Sequence, residues 1–87
     1  MQIEYSKQAA KFISAQSKNT KQKIKCGIEG LTEMPPKGDI KLLQGYANKT
    51  YRLRIGKIRV IYRYDTFANQ QQILFISGIN SRGDIYK

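Results

Sequence analysis

Tyr51-Arg52-Leu53-Arg54-Ile55, then Gly56-Lys57, then Ile58-Arg59-Val60-Ile61-Tyr62-Arg63-Tyr64 is the stretch on which the fold turns. Both runs are rich in β-branched and aromatic residues and alternate in character, as half-buried strands do. A two-residue Gly-X connection favours a type II′ hairpin. That turn fixes the register, pairing Ile55 with Ile58, Arg54 with Arg59, Leu53 with Val60 and Tyr51 with Tyr62. Apolar side chains then share one face, and Arg52, Arg54, Arg59 and Arg63 share the other. Like charges directly across an antiparallel pair are destabilising, so the pattern expects an anion on that face. The alternative is an ordinary solvated sheet surface.

Working outward from the hairpin, residues 2–5 read as a first strand with Ile3 and Tyr5 on one side. Ser6 is a helix N-cap for a helix to about residue 16, with Ala9, Phe12 and Ile13 as its apolar stripe. A second helix from residue 18 or 19 to residue 33 places Ile24, Ile28 and Leu31 on one side and Lys18, Lys21 and Lys25 beside them. Pro35 and Pro36 stop it. Residues 37–48 are expected to be mostly loop, and residues 65–70 a polar turn. The last strand, residues 71–78, is apolar on both faces at Ile73-Leu74-Phe75-Ile76, which predicts cover on each side. The order β-α-α-β-β-β predicts one α+β domain over residues 1–87, with a two-helix hairpin on one face of a small antiparallel sheet.

The chain carries sixteen Lys and Arg against six Asp and Glu, a formal net charge of +10 over 87 residues. That excess favours nucleic acid, an anionic membrane surface or an acidic protein as partner. All the arginines lie between Arg52 and Arg82, while most lysines precede Thr50. The planar, bidentate cation is therefore concentrated in the second half. Cys26 is alone, which suits a reducing compartment and reads as incidental. No leader pattern or apolar run of spanning length is visible, so the expected location is the cytoplasm, with no membrane association. Histidine is absent and the carboxylates show no metal-ligand spacing, so neither a metal nor another cofactor is expected.

Arginine clamps phosphate oxygens and stabilises developing charge, but it scarcely exchanges protons. A proton acceptor has to come from elsewhere. Tyr86 is the best candidate, because Arg82 precedes it by four residues and a nearby cation favours the phenolate. The competing reading is a tyrosine that packs its ring on the sheet edge, which is the commoner fate of such a residue. Tyr46, Tyr51, Tyr62 and Tyr64 are read as packing residues rather than as platforms for bases.

Lys41-Leu42-Leu43-Gln44-Gly45, the arginine hairpin from Tyr51 to Tyr62, and Arg82-Gly83-Asp84-Ile85-Tyr86 together resemble the RelE/ParE toxin superfamily. The resemblance spans nearly the whole chain, and the hairpin and the arginine-to-tyrosine spacing are its most specific parts. Similarity to the RelE-type members implies a RelE-like fold and the toxin of a type II toxin-antitoxin module. It further implies a metal-independent endoribonuclease that cleaves mRNA in the ribosomal A site, next to 16S rRNA. The implied partners are that mRNA, a cognate antitoxin whose acidic segment wraps the basic surface, and operator DNA reached only through the antitoxin. Carried over by position, Arg54, Arg59, Arg82 and Tyr86 become the catalytic set. Arg52, carried over in the same way, positions RNA or stabilises the leaving oxygen. Lys57 and Arg63 are expected as further RNA contacts of the hairpin, and Lys18, Lys21 and Lys25 read either as a solvated helix face or, on a ribosome, as contacts to rRNA phosphates. Arginine replaces the lysines that several RelE-type toxins carry at the positions of Arg52 and Arg54, and Asn80 stands where some have another basic residue. These departures put more of the proton transfer on Tyr86 or on the ribosome. Two other readings stay open: a ParE-like inhibitor of DNA gyrase, and a non-catalytic nucleic-acid-binding module whose arginines only neutralise phosphates.

Overall fold

The computed structural model describes residues 1–45, 49–66 and 71–81. Along the chain these form β1 (Gln2–Tyr5), α1 (Lys7–Ser14), α2 (Lys18–Gly30), β2 (Asp39–Leu43), β3 (Thr50–Ile55), β4 (Ile58–Thr66) and β5 (Gln72–Ser81). The strands make one sheet in the order β1-β5-β4-β3-β2, with the helices packed on one face. The β3–β4 hairpin has the predicted register, Ile55 to Ile58 through Tyr51 to Tyr62. Gly56 sits at φ 60°, the left-handed conformation that the first position of a primed hairpin turn requires.

Both helices start where a serine can cap them. The Ser6 hydroxyl accepts from the Ala9 N–H at 3.1 Å, and the Ser17 hydroxyl accepts from the Thr20 N–H at 3.3 Å. Helix α2 stops at Gly30 rather than at residue 33. There the Lys37 N–H donates to the Gly30 carbonyl at 3.0 Å, and the Thr32 hydroxyl takes the Glu29 carbonyl at 2.7 Å, so the last turn is closed by the returning chain. Ile24, Ile28 and Leu31 are buried as the helical stripe predicts, against Leu53, Val60, Tyr62, Leu74, Ile76 and Ile79. Each such aliphatic side chain contributes about 1.5–3 kcal/mol by leaving water. Gly27 lets α2 lie close on β3: a Cβ there would stand 2.5 Å from Cδ1 of Ile55.

Three features depart from the sequence reading. First, the sheet is mixed, because β1 runs parallel to β5 with Gln2 beside Ile73 and Tyr5 beside Ile76. A parallel pair needs a long connection, and everything from α1 to β4 serves as one. Second, Asp39–Leu43, expected as loop, is an edge strand antiparallel to β3. Its alternation Asp39-Ile40-Lys41-Leu42 carries the strand period, and glycines at positive φ, Gly38 and Gly45, bound the segment on either side. Third, β4 runs on to Thr66 and β5 to Ser81, past the polar boundaries expected for them.

The start of the chain also closes the exposed margin of β5. Beyond Tyr5 the pairing continues through side chains, with the Ser6 hydroxyl donating to the Ser77 carbonyl at 2.9 Å. The Gln8 amide then takes both backbone groups of Ile79, donating to its carbonyl at 2.6 Å and accepting from its N–H at 2.8 Å. One side chain thus does what another strand residue would do.

Candidate anion-binding face

The face of the sheet turned away from the helices carries Arg52 and Arg54 on β3 and Arg59 and Arg63 on β4. Arg54 stands directly opposite Arg59, as the hairpin register requires. On the next strand inward Asn80 stands opposite Arg59, and Phe75 stands opposite Arg63. A bulge in β5 between these two levels leaves Ser77 outside the ladder; its hydroxyl donates to the Ile61 carbonyl at 3.2 Å.

This face is not a bare array of cations. Strand β2 places Asp39 opposite Arg54 and Lys41 opposite Arg52. The Asp39 carboxylate accepts from Nε of Arg54 at 3.0 Å through Oδ2 and from Nη2 of Arg52 at 3.3 Å through Oδ1. Farther along β4, Asp65 accepts from Nε of Arg63 at 3.1 and 3.3 Å, and the guanidinium carbon lies 4.6 Å from the centre of the Phe75 ring. The four guanidinium groups expected on this face do not stand alone: two carboxylates share it. Ion pairs this exposed contribute about 0–1 kcal/mol, so their main effect is to fix where the arginine heads point. Arg52 is the more enclosed of the pair on β3, its side chain 13% exposed against 44% for Arg54. Its Nε is buried without a hydrogen-bond partner, an arrangement that costs about 1–3 kcal/mol. Arg54 therefore presents the most accessible guanidinium at the centre of the face, beside Arg59.

The remaining candidates divide into two groups. Lys18, Lys21 and Lys25 are exposed on α2, on the helix side of the sheet, so they are not brought together with the arginines. Lys21 and Lys25 rim an apolar cleft of about 360 Å³ floored by Ile13, Ile24 and Ile28. Lys57 is exposed at the hairpin tip. Arg82, Tyr86 and Tyr46 lie outside the described residues. Tyr51, Tyr62 and Tyr64 pack on the helix side as expected, Tyr51 and Tyr62 stacked at 5.5 Å and Tyr62 edge-on to Tyr64 at 5.7 Å. The Tyr64 hydroxyl donates to the Leu31 carbonyl at 2.7 Å. Burial, then the neighbouring Tyr64 and Tyr51, pushes the Tyr62 phenol well above its ordinary value, which suits a packing residue and not a proton acceptor.

Asp39, Asp65 and Phe75 are the side chains of this face that sequence reasoning passed over. Arg63 and Asp65 are two apart on one strand and so share a face, a signal that was legible; Asp39 became visible only once β2 was known to be a strand. Among the described residues no three His, Cys, Asp or Glu side chains gather where they could hold a metal ion. No described helix is long and apolar enough to cross a membrane.

Comparison with known proteins places this geometry in a family. No curated protein matches the sequence. Among solved structures, the chain is similar to one described as the RelB-RelE antitoxin-toxin complex from Methanococcus jannaschii. The TM-score is 0.67 with 24% identity, over 95% of this chain and 94% of that one. At that identity the likeness shows a shared RelE-like fold. The family model for the ParE toxin of the type II toxin-antitoxin system parDE matches residues 3–86. With nearly the whole sequence matched and the fold in agreement, the chain belongs to the ParE toxin family of type II toxin-antitoxin systems, within the RelE/ParE superfamily.

Proposed function

We propose that this toxin acts as a RelE-type, ribosome-dependent endoribonuclease that cleaves mRNA in the A site. The observation that carries the reading is the arginine face itself, where Arg54 and Arg59 are held side by side across two strands with Arg52 two residues along β3 on the same face. Two carboxylates, Asp39 and Asp65, offset only part of the repulsion among four guanidinium groups on one face, and a bound anion would relieve it further. A pentacovalent phosphorane, with its extra negative charge, answers that requirement better than a ground-state phosphate does. In the reaction the ribose 2′-hydroxyl gives up its proton as its oxygen attacks the adjacent phosphorus. The bond from phosphorus to the 5′-oxygen breaks, and that oxygen takes up a proton, leaving a 2′,3′-cyclic phosphate and a 5′-hydroxyl end. Arg54, Arg59 and Arg82 would clamp the phosphate, and Tyr86 would accept the proton or orient the nucleotide. Arg52, Lys57 and Arg63 would position RNA on the sheet face, while Lys18, Lys21 and Lys25 would meet 16S rRNA phosphates from the helix side.

The solved relative is an antitoxin-toxin complex, and we extend that partnership to this chain: a cognate acidic antitoxin covers the basic surface and links the toxin to operator DNA. The cytoplasm is the compartment where ribosomes and antitoxin are both met. A second reading is favoured by the description of the matched family, which is that of the ParE toxin: the ParE-like inhibitor of DNA gyrase that the sequence resemblance left open. The deciding experiment adds purified protein to a cell-free translation reaction and maps mRNA 5′ ends by primer extension, with gyrase supercoiling measured in parallel. Cuts at a fixed position in A-site codons, dependent on ribosomes and much reduced by Tyr86→Phe, are expected. Intact mRNA together with blocked supercoiling would establish the gyrase reading instead, and neither effect would leave a binding module.

A further inference from the structure

Strand β2 brings to the arginine face a carboxylate that the reaction above does not use. Asp39 takes Arg54 by Nε and Arg52 by Nη2, with one oxygen for each. The choice of atom matters. A carboxylate bound at the end of the guanidinium would occupy the two terminal nitrogens that grip phosphate, whereas one bound at Nε leaves both free. A guanidinium is planar, so fixing the Nε–H direction also fixes the plane in which the terminal N–H groups lie. Arg63 is held in the same way by Asp65, which makes Nε anchoring a repeated device of this face.

We propose that Asp39 is a positioning residue: its carboxylate holds the Arg54 head with its terminal nitrogens turned to the substrate phosphate. This role rests on the reading of the face as an RNA-cleaving site. Its cost is a negative charge close to where phosphate must bind, so Asp39 weakens binding of the substrate while improving alignment at the reacting phosphorus. The two effects fall on different kinetic constants. Asp39→Ala is expected to lower kcat about tenfold with KM unchanged or reduced, whereas Asp39→Asn, which keeps an acceptor oxygen but not the charge, should hold kcat within about threefold.

The experiment measures single-turnover cleavage of A-site mRNA by wild type, Asp39→Ala and Asp39→Asn. It repeats Asp39→Ala in an Arg54→Lys background, with circular dichroism and the urea midpoint confirming that each protein is folded. Lysine has no Nε–H to anchor, so in that background Asp39→Ala should add less than twofold to the loss of kcat. The Arg54 Nε–H resonance should be slow to exchange in wild type and fast in Asp39→Ala. Wild type that cleaves, with Asp39→Ala as fast or faster, would overturn the positioning role and leave the nuclease reading standing. Full additivity with Arg54→Lys would overturn it as well. Wild type that leaves ribosome-bound mRNA intact would overturn the nuclease reading and the role together.

Discussion

Gly38 holds φ 131°, a backbone conformation that L side chains rarely adopt, and a Cβ there would stand 2.6 Å from Cδ1 of the buried Leu53. Strain and overlap act together, so Gly38→Ala is expected to cost about 2–4 kcal/mol in urea unfolding. Because β2 starts at the next residue, the variant should also loosen Asp39. Gly27 is the contrasting case. Alanine gains about 1 kcal/mol of helix propensity over glycine, but its Cβ would stand 2.5 and 3.1 Å from Cδ1 and Cγ1 of Ile55, a half-buried side chain packed on the core that must shift to admit it. Gly27→Ala is expected to fall within about 1 kcal/mol of wild type by the same measurement. Only Gly56 of these three was legible in the sequence. Its role follows from the length of its own turn, whereas the other two depend on which side chain a distant element lays against them.

Among the elements, the hairpin, the two helices and the Ser6 cap were legible because each is governed by residues a few positions apart, while the Ser17 cap was not picked out. The register of Arg54 against Arg59 came with the hairpin, and so did the main part of the candidate site. The carboxylates were not legible to the same degree, since Asp39 reaches Arg54 from 15 positions away in a segment expected as loop. Nor was the Gln8 contact with Ile79, which joins residues 71 positions apart. That contact predicts that Gln8→Ala, which leaves the Ile79 N–H without its acceptor, costs about 1–3 kcal/mol. Hydrogen exchange should find the Ile79 amide opening faster while the amides of the β3–β4 hairpin are little changed.

For the molecule as a whole, a net charge of +10 sets how it meets any anionic partner. Association with single-stranded RNA, or with an acidic peptide, is expected to slow about tenfold between 50 and 500 mM salt in stopped-flow measurements, while dissociation changes less. Alkaline stability follows from the tyrosines on the helix side. Burial, with the neighbouring phenols adding to it, raises Tyr62, and burial followed by Tyr51 raises Tyr64 against an opposing hydrogen bond from Tyr62. Folded phenols raised above their unfolded value keep their protons longer than the unfolded chain does. Their contribution is intact below about pH 10 and is lost as the pH climbs from there towards the raised folded values. Urea midpoints recorded from pH 8 upward should fall beyond that point, and the fall should be shallower in Tyr62→Phe.

The parallel pairing of β1 with β5 has a consequence for synthesis. The first strand to leave the ribosome cannot find its partner until residues 73–76 have been added, and β5 is also what β4 pairs with on its inner side. Contacts this distant in sequence are the slowest to form, so a nascent chain that has exposed its helices and its hairpin still lacks the strand that joins them to β1. The β2–β3–β4 part of the sheet needs nothing from β5, but the five-stranded sheet can close only once β5 has been made, near the end of the domain.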